Sequence, residues 1–226
     1  MLQVDQEKLK RSWLDEALLE FQQANDPLVL QTRSLLSRII ASDAAHSRLL
    51  NTLALLEHTG SQRIMATQHG DGIDQATLRH VAEEANHAFF MKRQAEKTRG
   101  QPMEFQAADL LANSAARMYF KRLEALIHGR LKRQKSAAAT YLYMSMIIEF
   151  RALWFYKLYQ QSLKLAGNRI SLKRILGEEE HHLSEMAQCL ESAGELSNAR
   201  ARQFLQDERR LYSRLLEAMR SELSTH

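Results

Sequence analysis

Two Glu-x-x-His pairs, Glu84/His87 and Glu179/His182, stand in stretches that match in register. Ala82-Glu83-Glu84-Ala85-Asn86-His87 aligns with Gly177-Glu178-Glu179-Glu180-His181-His182, and each is followed by Met91 or Met186 four residues beyond its histidine. On a helix, residues i and i+3 share a face, so each motif projects a carboxylate and an imidazole together. Both pairs interrupt an apolar stripe: Thr77, Val81, Glu84, Ala88, Met91 and Ala95 in one, and Leu172, Ile175, Glu179, His182, Met186 and Leu190 in the other. Two further stripes carry one carboxylate each, Leu50-Leu53-Glu57-Gly60-Ile64 and Leu142-Met146-Glu149-Leu153-Tyr156. Glu57 precedes Glu84 by 27 residues and Glu149 precedes Glu179 by 30. With short turns between antiparallel helices, those separations bring each lone Glu to the height of its Glu-x-x-His.

Four ionised carboxylates cannot stand bare in an apolar interior, because each costs several kcal/mol and all repel one another. Two divalent cations cancel the four charges, and mixed carboxylate and imidazole ligation suits iron or manganese. Glu57, Glu84, His87, Glu149, Glu179 and His182 are therefore the expected ligands of two metal ions. Two of the carboxylates can bridge the ions, which leaves open positions for dioxygen. The run Glu178-Glu179-Glu180-His181-His182 permits a second register, Glu178/His181, turned about 100° toward the polar Glu185. Glu179/His182 keeps Met186 and Leu190 inward and is the favoured register. Glu83 is expected beside the ligands or at the surface rather than among them.

The elements that must position these groups are helices. With 8 Gly, 2 Pro and 45% hydrophobic residues, the chain has few compulsory breaks and enough apolar content for one large core. Ala, Leu, Glu, Gln, Arg and Lys dominate, and β-branched runs are missing, so the fold class is all-α. Asp26-Pro27, Gly70-Asp71-Gly72, Gly100-Gln101-Pro102, Gly167-Asn168 and Gly194 punctuate the sequence. Helices are expected at 5–24, 28–41, 43–69, 74–99, 105–133, 137–166, 170–193 and 198–222, with Asp74 and Ser171 as N-caps. Short turns pair 43–69 with 74–99 and 137–166 with 170–193, and 105–133 crosses between the two hairpins. The expectation is a single domain over 1–226, with a core bundle at 43–193 and accessory helices at 1–42 and 198–226.

One Glu from each of two helices, plus Glu-x-x-His from each of the other two, resembles the ferritin-like di-iron carboxylate superfamily over residues 43–193. The resemblance implies a four-helix bundle with two iron ions, Fe2+ or Fe3+, manganese being the other candidate. Storage ferritins resemble a more compact bundle with a short C-terminal helix. Rubrerythrins carry a Cys-x-x-Cys module, and here Cys189 is the single cysteine. Elimination leaves an oxidase or oxygenase, with O2 and a small organic molecule as substrates, a separate electron-donor protein, and a homodimer as the expected assembly. An iron-handling ferroxidase and a non-catalytic helical binding module are the alternatives.

The remaining features read as structure. His58, His69, His80 and His128 lack the paired carboxylate pattern and are expected at the surface or in packing. His181 is expected exposed and Cys189 a buried, inert thiol. Tyr141, Tyr143, Phe150, Trp154 and Tyr156 form an aromatic group near Glu149, and Phe89, Phe90, Met118, Phe120 and Phe150 are candidate pocket walls. Arg63, Arg93 and Arg151 are the cations that could neutralise the carboxylates without metal, although Arg151 falls off the face of Glu149. A net charge of +4 and one basic group, Arg130, Lys132, Arg133 and Lys135, are too little for a nucleic-acid footprint. MLQVDQEKLKRSWLDE has no signal-length apolar core, and no run reaches membrane-spanning length, so a cytoplasmic protein away from membranes is expected.

Overall fold

The computed structural model describes residues 2–68, 72–131 and 137–224, with side chains from residue 13 onward except Ala137 and Ala138. Over these residues it is all-helical. The helices are α1 (Leu2–Ile40), α2 (Asp43–Thr67), α3 (Gln75–Arg99), α4 (Asn113–Leu131), α5 (Ala137–Leu165), α6 (Lys173–Ser192) and α7 (Asn198–Ser224), with a 3-10 turn at Ala107–Asp109. Among the described residues, no helix is long and apolar enough to cross a membrane.

Local chemistry sets several of the ends. Ser42 accepts the Ala45 N–H and starts α2, and Asp74 accepts the Thr77 N–H and starts α3. Gly100, at φ 75°, ends α3 behind Lys97 and Arg99, in the left-handed conformation that costs glycine least. Beyond α5, the Asn168 N–H returns to the Leu163 carbonyl and the Gly167 N–H to Lys164, closing the helix.

Two antiparallel pairs follow. In α2–α3, Asn51 meets Lys92 at 3.2 Å near one end, and Glu57 lies with Glu84 and His87 further along. In α5–α6, the Gln160 side chain accepts the Leu172 N–H, Lys157 meets Glu180 at 3.0 Å, and the Tyr143 hydroxyl donates to the Glu195 carbonyl. Helices α1, α4 and α7 cover the two pairs. The apolar face of α7, including Phe204, Leu211, Leu215 and Met219, is buried within the chain.

Four expectations need correction. The segments 5–24 and 28–41 form one helix through Pro27. A proline inside a helix removes one backbone hydrogen bond and costs about 3 kcal/mol. Around it, Arg209 of α7 donates to the Ala24 carbonyl and Asn25 donates to the Phe21 carbonyl, which tie this stretch of the helix down. Phe21, Leu35, Leu36 and Ile39 bury a continuous face on either side of it. The crossover helix begins at Asn113 rather than 105, because the chain dips inward at Met103, Leu110 and Leu111 and reverses at Ala112, φ 52°. The cap of α6 is Leu172, with no side-chain hydrogen bond, rather than Ser171. Cys189 is exposed rather than buried. The expected breaks at Gly70-Asp71 and 133–137 fall wholly or mainly outside the described residues, as do His69, Lys132, Arg133 and Lys135. Arg130 is paired with Asp207 at 2.8 Å.

One polar group locks the covering helices to α5. Arg151 donates twice to Glu208 of α7, each at 2.8 Å, and once to Asn25 of α1. Its guanidinium lies 4.0 Å from the Tyr212 ring centroid and 4.7 Å from that of Trp154. Tyr119 of α4 donates to the same Glu208. Glu208→Ala leaves a buried guanidinium without its counter-charge and is expected to cost about 3–5 kcal/mol, read as a lower urea midpoint at unchanged slope. Replacing Arg151 and Glu208 together with Met and Leu is expected to cost less than the single change.

Candidate metal centre

Four helices deliver the candidate groups to one buried point. Glu57 comes from α2, Glu84 and His87 from α3, Glu149 from α5, and Glu179 and His182 from α6. All six are buried, with His182 and Glu179 at 0% and 1% exposure. Of the two possible registers on α6, Glu179 and His182 are the buried pair, while His181 is exposed and bonded to Arg79.

The groups form two overlapping sets that share Glu84. Glu57, Glu84, His87 and Glu179 offer ligand atoms within 4.8 Å of one another, and so do His80, Glu84, Glu149 and His182. Within them, His87 Nδ1 lies 3.3 Å from Glu179 and 3.9 Å from Glu84, and His182 Nδ1 lies 3.4 Å from Glu84 and 3.9 Å from Glu149. These contacts do not make hydrogen bonds. His80 Nε2, Glu84 Oε1, His87 Nδ1, Glu179 Oε1 and His182 Nδ1 have no partner, and they are five of the seven such buried side-chain atoms among the described residues. Two ligands at about 2.1 Å from one ion, 90–110° apart, stand about 3.0–3.4 Å from each other. The observed spacings lie in or slightly above that range, so the donor atoms fit a cation between them.

His80 was expected at the surface or in packing, yet it is 3% exposed and aims Nε2 at Glu84 and Glu149, 3.6 and 3.5 Å away. The signal was present in the spacing. His80 stands four residues before Glu84 and seven before His87, which puts it on the flank of α3 that carries His87. Thr77 and Val81, assigned to the inward stripe instead, are only half-buried.

The two motifs also brace each other. His87 Nε2 pairs with Glu178 at 2.8 Å, and His182 Nε2 pairs with Glu83 at 2.8 Å. Each histidine therefore presents Nδ1 inward because its other nitrogen is held by the acidic residue that precedes the opposite motif's glutamate. Arg174 in turn holds Glu178 at 2.8 Å. Groups in this position fix the ring and raise its basicity toward a metal. Glu83→Gln and Glu178→Gln are each expected to weaken metal binding by about 10–100-fold with the fold intact, measured by chelator competition.

Electrostatics follow from burial and crowding. Burial lowers His87 and His182, but the carboxylates around them outweigh it and push His87 up to about 10 and His182 up to about 11. Burial raises Glu57 and Glu149 well above the ordinary carboxylate value, and the neighbouring carboxylates raise them further. Glu84 and Glu179 resist burial through the histidines and, for Glu179, Glu149, and are held below it. Tyr156 donates to Glu57. The cations that could have neutralised the cluster are used elsewhere: Arg63 pairs with Glu124, Arg151 with Glu208, and Arg93 lies over Phe89.

The cluster opens onto a cavity bounded by α1, α2, α4, α5 and α7. Gly60 borders it, and a Cβ there would come within 3.1 Å of Glu84 Oε2, so glycine leaves that carboxylate edge clear. Of the expected pocket walls only Phe120 takes part: Phe89 and Met118 are exposed, and Phe150 packs on Phe21. Of the aromatic group near Glu149, Tyr156 alone hydrogen-bonds a candidate ligand.

Compared with family models, characterised proteins and solved structures, the chain matches none.

Proposed function

We propose that this chain is a ferritin-like four-helix-bundle protein whose α2, α3, α5 and α6 hold two iron ions, and that it uses dioxygen to oxidise an organic molecule. The observation that carries the reading is the convergence of five unpartnered buried donor atoms on two ligand sets that share Glu84. In this assignment Glu57, His87 and Glu179 complete one site, and His80, Glu149 and His182 complete the other. Manganese suits the same donors.

Bound iron would supply the oxygen chemistry, in the overall form R–H + O2 + 2 e⁻ + 2 H⁺ → R–OH + H2O, with electrons from a separate donor protein. The chain's own residues do the rest. Glu83 and Glu178 keep the imidazole Nδ1 atoms turned inward, Tyr156 holds Glu57, and the apolar walls exclude water from the reacting face. An oxidase or oxygenase is favoured over iron handling because the space reaching the cluster is walled mainly by aliphatic and aromatic side chains, which suit an organic guest better than a hydrated cation.

The test is anaerobic loading with Fe2+ followed by rapid mixing with O2, monitored in the near-ultraviolet. The parent is expected to develop ferric carboxylate absorption that Glu84→Ala lacks. Sustained turnover of added Fe2+ with release of Fe3+ would favour the ferroxidase reading. No absorption change in the parent would overturn both.

A further inference from the structure

The cavity that ends on the cluster has a definite chemistry of its own. Glu57, Glu84, Glu149 and Glu179 form one part of its wall, and aliphatic side chains of α1 and α7, such as Leu36, Leu216 and Met219, form another. It gives about 100 Å³ to the centres of water-sized spheres, several times what one buried water needs. Along α2 its wall runs from Leu49 to Gly60, about 16 Å at the helical rise. A space of that volume drawn out over that length would be about 5–6 Å across, the width of an extended hydrocarbon chain and less than that of fused rings.

Away from the cluster the walls offer a guest almost nothing polar. Thr32 and Tyr212 share a hydrogen bond of 3.2 Å, and Tyr119 is bonded to Glu208. Glu208 neutralises Arg151, whose Nη1 is the single unpartnered polar atom on this part of the wall. A guest therefore meets few polar groups and no uncompensated charge, so a charged, sugar-like or nucleotide-like molecule would leave most of its polar groups unsatisfied.

Resting on the di-metal reading, we propose that this cavity binds a straight aliphatic chain, and that a long-chain alkyl compound with at most one neutral polar group is the substrate of the centre. At roughly 1.3 Å per carbon of a zigzag chain, 16 Å accommodates about twelve carbons.

The experiment is calorimetric titration of Mn2+-loaded and metal-free protein with 1-hexanol, 1-octanol, 1-decanol and 1-dodecanol, with 1-adamantanol as the bulky control. Affinity is expected to rise about fourfold per added methylene up to about dodecanol, with no binding of adamantanol. Leu216→Trp is expected to end the rise at a shorter chain, and Met219→Phe provides the same test if the tryptophan variant does not fold. A missing chain-length dependence overturns the proposal. So does a dependence unchanged in a variant whose melting and Mn2+ content match the parent. Two Mn2+ per chain without alcohol binding would overturn the aliphatic substrate and leave the metal reading standing. Alcohol binding by a chain that takes up no metal would overturn both.

Discussion

Replacing Glu84 with alanine is expected to remove both metal ions of the proposed centre, not one. Glu84 is the one residue common to the two ligand sets, and its Oε1 faces His80, His87 and His182 at 3.4–3.9 Å without a hydrogen bond. A ligand serving a single site would leave the second ion in place, as His87→Ala and His80→Ala are each expected to do. After anaerobic Fe2+ loading and desalting, the expected content is about two irons per chain in the parent. His80→Ala and His87→Ala should retain about one, and Glu84→Ala essentially none. Thermal melting gives an independent reading. At a free-ion concentration a thousand times its Kd, an ion that binds only the folded state adds about 4 kcal/mol. For a chain of this size that is about 8–16 °C in Tm for each ion, a gain that Glu84→Ala should not show.

Metal loading of the proposed centre is expected to release about four protons per chain at pH 7, with an affinity that rises steeply with pH. Without metal, the cluster balances its charge with protons. His87 and His182, raised to about 10 and about 11, are cationic, and Glu57 and Glu149, raised well above their ordinary value, are neutral. Glu84 and Glu179, held low, are anionic. Two imidazolium charges thus offset two carboxylates. Binding two divalent ions requires both histidines neutral and all four carboxylates ionised, so each ion displaces about two protons. The sign is fixed: protons compete with metal, and each ion's apparent affinity grows about a hundredfold per pH unit while these groups remain protonated. A pH-stat titration with Mn2+ counts the protons. Release of fewer than two per chain would show that the metal-free cluster is not balanced this way.

The sequence carried the main architecture because two periodicities agreed. The apolar stripes of α2, α3, α5 and α6 fixed the helix faces, and the separations between Glu57 and Glu84 and between Glu149 and Glu179 placed the carboxylates at one level. All six residues singled out from those stripes are buried together. Local spacing did not reach everything. His80 satisfies the same helical geometry as His87, but a search framed on Glu-x-x-His passes over a histidine four residues ahead of the glutamate. Pro27 marks a break by local rules, while the face buried on either side of it, Phe21 to Ile39, is a long-range gain that favours one continuous helix. The late start of α4 depends on burying Met103, Leu110 and Leu111, a long-range gain that local propensity cannot register. The cavity walls were hardest to see, since most come from α1, α2, α5 and α7 and meet only once the covering helices are in place.

On the proposed reading, the cluster holds two metal ions on either side of Glu84. Crystals grown anaerobically with Fe2+ and measured above and below the iron absorption edge decide this. The expected anomalous map has two peaks about 3.5–4 Å apart, one among His80, Glu149 and His182 and the other among Glu57, His87 and Glu179, with Glu84 reaching both. A map with no peak between these helices, or with iron only at surface carboxylates, would contradict it.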